Sequence, residues 1–218
     1  MVLVTGVDAC GSGWVAVTLT PSGASVAVAA TLGALPLAGI TGIDMPLGLP
    51  ADGWRTADLL ARRALGRRGC CVFAIPPRAV WARDSYAEAN RCCRELTGRG
   101  LSAQAWGLRG KLLEADGFRR QAACRLCEVH PELSFAELAG APLAETKHSP
   151  AGRARRRALL AGAGVPLPAS VPGAAEDDLL DAAAVAWSAR RIAAGTARVL
   201  PDPPAQRGDD GREIAIRY

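Results

Sequence analysis

The segment GVDACGSGWVAV, Gly6–Val17, joins two apolar runs through a glycine-rich bend and carries one acid, Asp8, inside the first run. Val2–Asp8 has the β-branched content of a buried strand. GSG then turns the chain, and Trp14–Thr20 forms a second strand. PSGA (Pro21–Ala24) is a turn and Ser25–Thr31 a third strand, so the chain is expected to open as an antiparallel meander. LGALPLA (Leu32–Ala38) is a short helical crossover at most. TGIDMPLGLP (Thr41–Pro50) reads as a fourth strand that runs into a Pro/Gly-rich loop.

Beyond Pro50 the pattern changes. GWRTADLLARRALG is a helix with arginines on one side, and RGCCVFAIPPRAVW is a short strand entering a loop. Ser85–Thr97 and Gln104–Gly117 read as helices. ACRLCEVHPELSF (Ala123–Phe135) supplies a fifth core strand, and a basic helix covers Gly152–Ala163. AEDDLLDAAAVAWSARRIAAG is a strong helix whose acidic start complements the helix dipole. REIAIRY is a closing strand. Three strands followed by strand and helix units make a mixed α/β fold. The 218 residues suit one domain, 1–218, with a helical insertion at about 52–120.

Half of the residues are hydrophobic and the formal net charge is +5, carried almost entirely by arginine. An acidic partner such as nucleic acid suits that balance, as do many ordinary proteins. The seven cysteines include two adjacent pairs, which are poor disulfide partners, and Met1–Thr5 lacks the charged start of a secretory signal. Reduced thiols and a cytoplasmic location are therefore expected. Cys124-x-x-Cys127 is a single ligand pair, where a structural zinc site usually needs two, so zinc is not expected. Val26–Ile43 is apolar, but Pro36 and its glycines split it into strand, short helix and strand, so no membrane span is expected.

Three acids interrupt apolar strands, and a further acidic pair opens the last helix. Asp8 follows LVTGV and Asp44 follows AGITGI, each run ending in a turn-forming segment. A buried carboxylate is costly without a cation or hydrogen bonds, and two on neighbouring strands repel. A divalent metal resolves that conflict. Glu128 lies between apolar residues, with His130 on the same face by two-residue alternation. Asp178 and Asp181 lie one turn apart near the start of the last helix, before small residues that allow close packing on a sheet. Each acid alone has an ordinary explanation: a helix-start charge, a capped turn, an arginine partner. Jointly, an oxygen-only set suits Mg²⁺ or Mn²⁺.

The stretches GVDACGSGWVAV, GIDMPLGLP, ARRALGRRGCCVFAIPPR, GRGLSAQAW, CEVHPELSF and EDDLLDAAAVAWSARRI, in this order, span nearly the whole chain. Together they resemble a domain-of-unknown-function family predicted to be RNase H-like nucleases. The final helix also resembles that of Holliday-junction resolvases. The resemblance implies a sheet of strand order 3-2-1-4-5 with helices on both faces. Asp8 and Asp44 then meet across the first and fourth strands, with Glu128 or the final helix completing the cage. Ribonuclease H itself takes a glutamate from the helix after its third strand, and LGALPLAG offers no acid there.

The resulting expectation is a metal-dependent nuclease or phosphodiesterase in which two ions about 4 Å apart bind Asp8, Asp44, Glu128, Asp178 and Asp181. Arg78, Gln104, His130 and Lys147 are expected to line the cleft for substrate; arginine suits bidentate phosphate contact. GRARRR (Gly152–Arg157) is either a phosphate-binding helix start or a solvated face. The alternative is a non-catalytic domain of the same fold that binds nucleic acid or a protein. A sugar kinase or other ATP-using enzyme of the related actin-like fold ranks last. Such enzymes place the nucleotide between two copies of the fold, and this chain is too short for two.

Overall fold

The computed structural model describes residues 2–218. In chain order the elements begin with β1 (Val4–Cys10), β2 (Gly13–Thr20), β3 (Gly23–Ala29) and β4 (Ile40–Ile43). There follow α1 (Thr56–Leu65), α2 (Arg78–Trp81), α3 (Tyr86–Thr97), α4 (Ala103–Gly107), α5 (Arg109–Gln121) and β5 (Arg125–Glu128). The last large elements are α6 (Pro131–Ala139), α7 (Pro150–Gly162) and α8 (Glu176–Ala194), before short strands β6–β9 between Val199 and Arg217. Contacts divide the chain into two compact units. One comprises the chain up to Met45, Gln121–Arg198 and Arg217–Tyr218; the other comprises Pro46–Arg120 and Val199–Ile216.

The first unit is built on a five-stranded mixed sheet of order β3-β2-β1-β4-β5. β1 and β2 are antiparallel, as are β2 and β3, whereas β4 runs parallel to both β1 and β5. The central β1 is buried almost throughout, and β3 at the edge is only half-buried. One sheet face carries Val4, Val15, Val17 and Leu19 into a core shared with α8, Phe135 and Leu160. α8 lies against β1, β2 and β4. Its alanines favour the helix intrinsically and keep the packed side thin. Close approach is also written into the sheet: a Cβ on Gly6 would collide with the backbone of Ala182 and Ala186, and one on Gly42 with Val185.

The expected strands occur with changed ends. β1 begins at Val4 rather than Val2, and β3 covers Gly23–Ala29 rather than Ser25–Thr31. β4 stops at Ile43, so Asp44 lies just past it. The fifth strand is shorter than the expected Ala123–Phe135. Pro131 occupies a first-turn position of α6, where its missing N–H is no loss, and Glu132 meets the positive helix end. No strand forms within Arg68–Trp81. That stretch is a tight 3-10 turn, an extended segment and α2. The helix expected at Gln104–Gly117 is split into α4 and α5, and the closing strand into β8 (Glu213–Ile214) and β9 (Ile216–Arg217).

The second unit holds α1 to α4 and nearly all of α5. Arg55, fully buried, pairs with Asp58 at 3.5 Å, and Asp58 accepts the Ile75 amide at 2.8 Å. The Trp81 and Trp106 rings stack with centroids 6.4 Å apart. Among the described residues no helix is long and apolar enough to cross a membrane. All seven cysteines stand outside disulfides.

Candidate metal centre

Parallel pairing of β1 with β4 aligns Gly6 with Gly42 and Val7 with Ile43. The Asp44 amide donates to the Val7 carbonyl at 2.8 Å, which carries that register one step further and sets Asp44 beside Asp8. Asp8 is 6% exposed, and its Oδ1 accepts the Ala9 amide at 2.7 Å. Asp181, 2% exposed, descends from α8, where the next residue, Ala182, rests on Gly6. One carboxylate oxygen from each of Asp8, Asp44 and Asp181 lies within 4.8 Å of the other two. The same glycine contact that seats the helix therefore brings the third acid to the first two.

Crowding and burial work against ionisation here. Burial lifts the Asp8 carboxyl well above the usual range; Asp44, Asp181 and Asp178 add to the rise and Lys147 opposes it. Asp44 is pushed up to about 7, chiefly by burial, with Lys147 opposing and Glu128 and Glu132 adding. Asp181 rises to about 6 through burial and the charges of Asp44 and Glu132, against the pull of Lys147. Burial alone would lower the Lys147 ammonium, but Asp181, Asp8 and Asp44 hold it above its ordinary value. Lys147 Nζ donates to Asp181 Oδ2 at 2.6 Å. Asp181 Oδ1 is buried and receives no hydrogen bond among the described residues.

The expected residues separate into groups. Asp8, Asp44 and Asp181 come together, and Lys147 joins them as their cation. Glu128 is in register with Ile43, and Ile43 with Val7, so pleat alternation sends Glu128 to the sheet face opposite Asp8 and Asp44. Its charge is still felt at Asp44. Asp178 sits one turn before Asp181, half-buried, its carboxyl raised by burial and by Asp177. His130 lies past β5 as the cap residue of α6, with extended backbone. Arg78 and Gln104 belong to the second unit. Arg78 there binds Asp116 at 2.6 Å and Asp209 at 2.8 Å, and Gln104 is exposed on α4.

Two residues absent from the sequence expectation support the site. Glu132 is buried and acts on both Asp44 and Asp181 by charge. Its partner Arg156, wholly buried, donates to it at 2.6 Å and lies 5.2 Å from the Phe135 ring. Arg156 belongs to GRARRR, so that segment is solvated only in part: Arg155 is exposed while Gly152 and Arg156 are buried. Arg153 and Arg157 are both tied to Glu176, at 2.9 and 3.0 Å. The sequence signal was the buried-strand continuation HPEL, where an acid follows a helix-starting proline.

A family model described as a protein of unknown function, DUF429, matches residues 6–206, and the chain belongs to that family. No curated protein and no solved structure matches the chain.

Proposed function

We propose that Asp8, Asp44 and Asp181 form a Mg²⁺ or Mn²⁺ site in an RNase H-like domain that hydrolyses phosphodiester bonds of nucleic acid. The observation that carries this reading is the convergence of three carboxylates, from the first strand, beside the fourth strand and from the last helix, within 4.8 Å. The residues fit such an ion. The donors are all oxygen, which suits hard divalent cations. Among the described residues Asp181 Oδ1 is buried without a hydrogen-bond donor, and one lysine is too little charge to keep three buried acids ionised. A bound ion would supply Lewis-acid stabilisation of charge on the phosphodiester and a more acidic water.

The chain itself supplies rigidity and charge. The Ala9 amide fixes one oxygen of Asp8, and sheet register fixes Asp44. Lys147 is the polar group best placed to meet a phosphate at this site; Asp178 is the next carboxylate along α8 for a second ion. The arginine-rich composition supports nucleic acid as the partner. His130, the cap residue of α6 in the same unit as the triad, is a further proposed substrate contact.

One observation favours a second reading. The Lys147–Asp181 ion pair partly neutralises the triad, as in a structural charge cluster of a non-catalytic nucleic-acid- or protein-binding domain. A cleavage assay separates the two. Labelled single-stranded DNA, duplex DNA and RNA are incubated with wild type and Asp8→Asn in millimolar Mn²⁺ or in EDTA. Cleavage that needs both Mn²⁺ and Asp8 supports the nuclease. Retention of a strand without cleavage supports the binding domain.

A further inference from the structure

Lys147 reaches the triad from the segment between α6 and α7. Its side chain is 32% exposed, against 3% for that of Asp181. The backbone around it is pinned. Arg156 Nη1 donates to the Glu145 carbonyl at 3.2 Å, and Arg153 Nη1 to the His148 carbonyl at 2.7 Å. The Ser149 amide and hydroxyl donate to the Thr146 carbonyl at 3.1 and 2.9 Å. A Cβ on Gly152 would strike that same carbonyl, so α7 holds the segment closely. What can move is the four-carbon side chain, about a third of which meets solvent.

We propose that Lys147 is a built-in counter-ion of the triad, displaced from Asp181 when a divalent cation binds, and thereby freed to contact a phosphate oxygen of the substrate. The inference rests on the metal reading above. An ammonium and a divalent ion on the same three carboxylates compete for Asp181 Oδ2 and repel each other, and the singly charged group on a flexible stem yields. The Asp181 oxygen without a donor gives the incoming ion a first contact before the lysine leaves. The device keeps the acids partly compensated without metal and presents a cation to substrate only when the site is loaded.

The test titrates Mn²⁺ alone into wild type, Lys147→Met and Lys147→Arg, with free Mn²⁺ read by electron paramagnetic resonance, and melts each protein in EDTA. Lys147→Met should bind Mn²⁺ about tenfold more tightly, because a competing charge is gone, yet melt lower in EDTA. Lys147→Arg, keeping the charge, should stay near wild type in both. A purely structural lysine would lower both quantities. Weaker or unchanged Mn²⁺ binding by Lys147→Met, or Lys147→Arg behaving as Lys147→Met, overturns the counter-ion role. Mn²⁺ that binds none of the three proteins overturns the metal reading itself. Should Lys147→Met not fold, the wild type gives the answer by amine labelling and mass spectrometry. The chain has two lysines, and Lys111 serves as internal reference. Mg²⁺ should raise Lys147 labelling several-fold relative to Lys111; equal or lower labelling overturns the proposal.

Discussion

Asp44 stands beside Asp8 because its amide, one residue past the end of β4, bonds the Val7 carbonyl at 2.8 Å and prolongs the parallel register. Two acids are thus fixed by main-chain geometry, and the third arrives on a helix seated against Gly6. Such an arrangement is costly to a metal-free fold and useful to a metal-bound one, and this contrast can be measured.

Asp8→Asn removes one negative charge while its Oδ1 can still accept the Ala9 amide. The variant should melt at or above the wild-type temperature in EDTA. Millimolar Mn²⁺ should raise the wild-type melting temperature by about 5 °C or more through mass action and leave the variant nearly unmoved. Loss of stability in EDTA together with a metal-insensitive wild type would instead mark Asp8 as a structural acid. Thermal melts of the two proteins decide.

The pH response of Asp44 has a defined sign. Its carboxyl sits at about 7 in the folded protein and at the ordinary 3.8 when unfolded. Across that window the folded state holds the extra proton, so the contribution of Asp44 to stability falls as pH rises and is flat above it. Asp44→Asn abolishes that loss. In EDTA the melting temperature of Asp44→Asn minus that of wild type should therefore grow from about pH 5 to about pH 8. A difference independent of pH would contradict the elevated carboxyl.

Much of this was legible in residue pattern, and the failures have local causes. Apolar, β-branched runs and turn residues marked β1 to β3, and the acidic start and alanine run of α8 marked the closing helix. Apolar runs do not say where pairing stops, so β4 and β5 were drawn too long. Pro131 converted the rest of the expected fifth strand into a helix start. Glu128 looked equivalent to Asp8 and Asp44 in one dimension. Register, which no single strand encodes, places it on the other face. Glu132 and Arg156 were missed because their pairing joins residues 24 apart in sequence.

Gly6 is expected to be intolerant. Gly6→Ala puts a methyl into the Ala182 and Ala186 backbone, which cannot yield as a flexible side chain would. Overpacking of this kind costs about 1–3 kcal/mol, and displacement of α8 would also move Asp181 away from Asp8. Chemical denaturation should show the lost stability, and Mn²⁺ titration a weakened site. Wild-type behaviour in both would refute the close packing.

Arg156→Met should be among the more damaging changes to the first unit. It strands the buried carboxylate of Glu132, a loss of about 3–5 kcal/mol when one partner of a buried pair is removed. Adding Glu132→Gln should restore part of it. Urea unfolding of single and double variants measures the coupling, and additive losses would show that the pair is not a unit.

The most direct measurement is diffraction from crystals soaked in Mn²⁺, with anomalous differences located. The expected result is a peak between Asp8, Asp44 and Asp181, with Lys147 Nζ withdrawn from Asp181, and its absence in Asp8→Asn. Well-occupied Mn²⁺ elsewhere on the protein, with Lys147 still bonded to Asp181 and no density among the three acids, would contradict the metal centre.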